Sequence, residues 1–174
     1  MSDKPELKHI AIARSYIGTQ EIKGAKHNPK ILALTAKAFN ATGQKSWIHD
    51  DETPWCGSFV GGVLAEAGLG NKIPKLFMRA REWEKAGTKL TQPAYGCIVT
   101  FTRDGGGHVG FVVGKTKAGN LKVLGGNQSD GVNIADFAPS RVTSYRWVSA
   151  GSAPNAHRFD LPILPAGRIS TNEA

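Results

Sequence analysis

The chain has 174 residues, a formal net charge of +8 and 40% apolar residues. That length suits one domain with a proper core and is short for two, and no stretch approaches the roughly 18 consecutive apolar residues of a membrane span. The basic balance favours anionic partners such as nucleic acid, an acidic membrane surface or a bacterial wall, and it equally suits a soluble protein that happens to be basic.

The opening MSDKPELKHIAIARSYIG carries Asp3 and Glu6 where an export signal is basic, and Lys8, His9 and Arg14 break its apolar run. Synthesis in the cytoplasm without a signal peptide is the expectation. Residues 5–18 read as a helix, with Leu7, Ile10, Ala11 and Ile17 at helical spacing and Gly18 as the stop. A loop follows, and Pro29 opens a second helix through Phe39. The polar stretch ATGQKSWIHDDE leads into a third helix over 53–67, with Thr53 as N-cap and Pro54 in its first position. Cys56, Phe59, Val60, Val63, Leu64 and Ala67 share one face of that helix. Gly57, Gly61 and Gly62 lower its propensity and fit only if another element packs very close. Residues 71–87 read as an irregular or helical link anchored by Trp83.

Beyond the link the period changes from helical to alternating. CIVTF (97–101), HVGFVVG (108–114), LKVLGG (121–126), VNIADF (132–137) and VTSYRWV (142–148) read as strands, close enough in sequence to pair antiparallel. The expected fold is α+β, with N-terminal helices packed on an antiparallel sheet. One domain is expected over 1–150, and a proline-rich tail over 151–174 that wraps the surface or frays.

Two strands and one helix end suggest a constellation. On the register that sets Gly114 opposite Leu121 and Val112 opposite Val123, Gly110 faces Gly125 and His108 faces Asn127. Directly opposed side chains sit about 4.5–5.5 Å apart at Cβ, within reach of an imidazole–amide hydrogen bond. A helix N-terminus offers unpaired N–H groups and the positive end of the dipole, both of which stabilise a thiolate at Cys56. Cysteine, histidine and an amide brought together make nucleophile, base and orienting group.

At these residues the sequence resembles a known family. DETPWCGSFVGGVLAEAG, GGGHVGFVVG and VLGGNQSDGVNIADF…RVTSYRWV are similar to the NlpC/P60 and CHAP group of papain-like peptidoglycan hydrolases, over about residues 7–148. The resemblance implies a papain-like fold, Cys56 as nucleophile, His108 as general base and Asn127 in the third position, which leans to the CHAP side. Where the family often has Asp before the IVxF strand, this chain has Cys97, read as a structural residue. The implied reaction is hydrolysis of an amide in the wall peptide, either N-acetylmuramoyl–L-alanine or D-γ-glutamyl–diaminopimelate, without a cofactor. The implied settings are a phage lysis enzyme released through a holin-made hole, and an injected antibacterial effector. Trp55, Asp51, Gly107 and Gln128 are the expected substrate-binding residues. Peptidoglycan is the expected partner of a monomer, with no nucleic acid and no stable membrane insertion.

Other features weigh less. The acidic run Asp50, Asp51 and Glu52 lacks the alternating ligand spacing of a calcium loop, and the five histidines make no zinc motif, so no metal is expected. Trp47, Trp55 and Trp83 flank the site in sequence, as groove lining or core. Arg79, Arg81, Arg103, Arg141 and Arg146 are scattered, some as grips for substrate carboxylates and most as solvated surface. A basic, non-catalytic module binding wall or nucleic acid is the alternative, though aromatics do not alternate with basic residues as a stacking platform requires.

Overall fold

Local chemistry sets the second helix. The Asn28 side chain accepts from the Lys30 amide at 2.9 Å, and Pro29 occupies the first turn. The structure, a computed structural model, describes residues 5–51, 53–149, 151 and 153–171. Asp3 and Glu52, weighed above, lie outside them. Helices α1 (Lys8–Ser15), α2 (Pro29–Ala41) and α3 (Cys56–Glu66) precede strands β1 (Thr88–Leu90), β2 (Ile98–Arg103), β3 (Gly106–Lys115), β4 (Leu121–Gln128), β5 (Gly131–Phe137) and β6 (Val142–Trp147). The strands form one sheet in the order β1-β6-β2-β3-β4-β5, every neighbouring pair antiparallel. The expected α+β architecture is present.

Two local expectations need correction, and one strand is added. Helix α1 is shorter than 5–18: its buried residues are His9, Ile10 and Ala13, while Ile17 lies beyond its end and is 45% exposed. Helix α3 starts at Cys56, because Thr53 turns instead onto Asp50, whose carboxylate accepts its amide at 2.6 Å and its hydroxyl at 2.9 Å. Strand β1 is a short edge strand in the sheet, just past the predicted link, with too few residues to show alternation.

Helix α3 is the centre of the helical layer. Every residue from Cys56 to Leu64 is buried, as befits a helix apolar on all sides. Its glycines explain how. A Cβ on Gly62 would lie 2.6 Å from the Leu34 carbonyl oxygen, so only glycine lets α2 cross at that distance.

The other face of the sheet buries Val99, Phe101, Val112, Leu121, Val123 and Phe137 together with Leu161 of the tail. Far from fraying, the tail docks on the sheet. Lys115 donates to Pro162 and receives from Leu164, both at 2.9 Å, and Ser170 donates to Asp136 at 2.8 Å. A buried ion pair clasps it: Lys122 Nζ lies 2.5 Å from Asp136 Oδ1 and donates to the Pro165 carbonyl at 2.9 Å, while Gly167 donates to Asp136 Oδ2 at 2.7 Å. Removing one partner of such a pair strands a charge in the interior. Asp136→Ala is therefore expected to lower the unfolding free energy by about 3–5 kcal/mol, read as a shift of the urea midpoint.

Candidate active site

Cys56 is the first residue of α3 and 4% exposed. The sheet determines where its thiol rests. Val112 donates its amide to Cys97 at 2.9 Å, so even-numbered residues of β3 aim their amides at β2 and odd-numbered ones at β4. Pairing of β3 with β4 begins only at Phe111–Leu124. The Val109 amide thus points beyond the end of that ladder, where it favours the charged form of Cys56. Cys56 and Val109 belong to the same buried cluster between α3 and the sheet.

Close packing holds it there. A Cβ on Gly126 would sit 2.6 Å from both Phe59 Cβ and the Trp55 ring, so β4 passes directly beneath the start of α3. Burial pushes the Cys56 thiol up from its ordinary range; the amides of Val109, Gly57 and Cys56 and the charge of Arg103 act in the opposite direction without overcoming it. The resting group is a neutral thiol, not the lowered thiolate suggested by the helix end alone. Cys97 lies in the other core cluster, and burial lifts its thiol to about 12. Both cysteines are free.

His108 is fully buried on β3. Its ring is stacked on Phe137, with centroids 5.4 Å apart and planes 6° from parallel, and Phe101 extends the stack. His108 Nε2 bonds Gln128 Oε1 at 3.0 Å. The Gln128 amide orientation follows from its surroundings: its nitrogen donates to the Val123 carbonyl (3.2 Å), the Asn133 carbonyl (2.9 Å) and Asn133 Oδ1 (3.0 Å). The oxygen therefore faces the imidazole, which makes Nε2 the protonated nitrogen and leaves the lone pair on Nδ1.

The sequence register sets Asn127, not Gln128, opposite His108. Val112–Val123 pair as expected, but Gly114 pairs with Lys122 instead of Leu121 across a bulge. On the other side of β4 the register shifts between Gly125 and Gln128. Asn127 takes up the extra residue with φ of 57°, and a one-residue shift exchanges the faces of the side chains that follow. Gln128 is thereby turned to the histidine.

The remaining expected site residues are dispersed. Trp55 is buried and donates to Glu21 at 3.0 Å. Gly107 lies at the start of β3, where a Cβ would meet the Arg81 side chain at 2.8 Å. Trp83 is buried, whereas Trp47 is 63% exposed with its ring edge-on to Phe39. Asp51 is fully buried and accepts from the Ile22 amide (2.8 Å), the Asn28 amide (2.7 Å) and His27 Nδ1 (3.0 Å). It ties down the loop between α1 and α2. Burial raises its carboxyl, but these donors outweigh burial and hold it below the ordinary value. A depressed folded pKa stabilises the protein above the unfolded value of about 3.9 and loses that contribution as pH falls through the lower folded value. Asp51→Asn is accordingly expected to cost about 1–3 kcal/mol at neutral pH and to flatten the acid limb of stability below about pH 4, measured by urea unfolding at several pH values. Among the described residues no group of three or more His, Cys, Asp or Glu is placed to hold a metal, and no helix is long and apolar enough to cross a membrane.

Residues 48–127 match the family model described as the CHAP domain, a span that holds Cys56 and His108 and ends one residue before Gln128. No curated protein and no solved structure matches the chain.

Proposed function

We propose, from the match of residues 48–127 to the CHAP domain, that this chain is a cysteine-dependent hydrolase acting on peptidoglycan, in which Cys56, His108 and Gln128 hydrolyse an amide bond of the wall peptide. The observation that carries it is the Gln128–His108 hydrogen bond, which leaves the imidazole lone pair on Nδ1, on a strand whose next residue, Val109, packs in one buried cluster with Cys56.

The Cys56 proton passes to His108 Nδ1 as Sγ attacks the scissile carbonyl. Gln128 Oε1 accepts from Nε2–H throughout and steadies the imidazolium that forms. The Cys56 amide, at the first position of α3 where helical N–H groups lack an intrahelical acceptor, faces the developing oxyanion. Collapse breaks the C–N bond, and the leaving amine takes the proton from His108. Water then attacks the thioester, gives a proton to His108, and releases a carboxylic acid and the thiol.

The test is product analysis of purified sacculi. The reading expects soluble fragments with new amino and carboxyl ends and no new reducing sugar. Reducing ends without amide cleavage would overturn it. We further propose a bacteriolytic, endolysin-like role, for which the added protein must clear suspensions of permeabilised cells at the rate at which it opens sacculi.

A further inference from the structure

Arg103 is the last residue of β2. It pairs with Gly106, two rungs beyond the Phe101–His108 pair, so it stands beside the base at the same end of the sheet. Its Nε is buried and has no hydrogen-bond partner among the described residues, and none of the ion pairs among them includes it. Arg146 on the neighbouring strand β6 shares this feature at its own Nε, farther along the sheet beside Ile98, whereas Arg81 and Arg141 differ. Arg81 pairs with Glu84, and Arg141 donates to the Thr102 and Ser170 carbonyls. A Cβ on Gly106 would lie 3.9 Å from Arg103 Nε, so bare backbone, not a side chain, flanks the guanidinium there. The charge also reaches the Cys56 thiol. A buried N–H without an acceptor is costly, and the guanidinium fork matches a carboxylate.

We propose that Arg103 receives the α-carboxylate of the D-glutamyl residue of the wall peptide, and so directs Cys56 to the γ-carbonyl of that residue. The inference rests on the reading of the chain as a Cys56 wall hydrolase. In the D-γ-glutamyl–diaminopimelate link, the scissile carbonyl belongs to a residue whose own carboxylate is a few bonds away. In the N-acetylmuramoyl–L-alanine amide, the scissile carbonyl is on the lactyl group and has no anion so near. A cation whose charge reaches the nucleophile, with no ion-pair partner among the described residues, complements the first. The Sγ–C bond forms at the γ-carbonyl, the diaminopimelate amine leaves with the His108 proton, and water frees the γ-carboxylate.

The experiment uses two synthetic L-alanyl-D-γ-glutamyl anilides, one with a free α-carboxylate and one with an α-carboxamide. The unaltered protein is expected to prefer the carboxylate by at least ~10-fold in kcat/KM. Arg103→Lys should reduce the ratio to a few-fold and Arg103→Gln to about one. The ratio of the unaltered protein decides the matter even if a variant folds poorly. Equal turnover of the twins, or a preference that survives Arg103→Gln, overturns the assignment. Sacculi opened only at muramoyl–alanine bonds overturn it while leaving the hydrolase reading intact. Silence of the unaltered protein on sacculi and on both anilides removes the hydrolase reading and this inference together.

Discussion

Cys56→Ser is expected to reduce release of wall fragments by at least ~10³-fold while the protein remains folded. The substitution replaces one buried atom by a smaller one at the first position of α3, where the backbone amides are retained. What disappears is a polarisable nucleophile with a proton His108 can take. A serine hydroxyl in the same place is far less acidic, and burial, which already raises the Cys56 thiol, penalises an alkoxide more. Fragment release is measured from purified sacculi, and melting temperature controls for folding. A variant that keeps a tenth or more of the activity would remove Cys56 from the chemistry.

Gln128→Leu is expected to lower kcat by ~10²–10⁴-fold with KM little changed, as happens when a catalytic histidine loses the group that fixes its tautomer. Leucine leaves His108 Nε2 without its acceptor, so either ring nitrogen can carry the proton while the ring keeps its stack on Phe101 and Phe137. Part of the effect is structural, since the Asn133 carbonyl and side chain lose a donor. A pH–rate profile separates the two: a positioning role moves the limb that reports the imidazole, while loss of stability alone does not. Asn127→Gly is the matched control. Glycine accepts the φ of 57° at Asn127 without strain, so the bulge persists and kcat should stay within a few-fold. The reverse pattern, with Asn127 essential and Gln128 dispensable, would restore the register expected from sequence.

The two positions show what could be read from the chain. The apolar face of 56–64 and the alternation of 97–101 and 108–114 are strong periodic signals, and they yield the helix layer, the sheet and the approach of Cys56 to the His108 strand. Pairing of Val112 with Val123 follows from the same alternation. The bulges do not. Alternation is a statement about faces, and one extra residue at Asn127 reverses it. A local hint exists in NQSD, residues that tolerate the left-handed conformation, and Asn127, Ser129 and Asp130 all adopt it. Asp51 illustrates a different gap. Its donors come from Ile22, His27 and Asn28, a tertiary arrangement that no local pattern encodes. The tail is similar: Lys122 and Asp136 look like solvent-facing strand residues until Pro165 and Gly167 close over them.

The measurement closest to the central claim is direct capture of the thioester. Turnover of a wall-peptide anilide is quenched in acid within its first seconds, and the protein is digested and mapped by mass spectrometry. The account predicts an acyl adduct on Cys56, absent from Cys56→Ser and diminished in Gln128→Leu. An adduct on Cys97 or elsewhere, or undiminished turnover by Cys56→Ser, would contradict it.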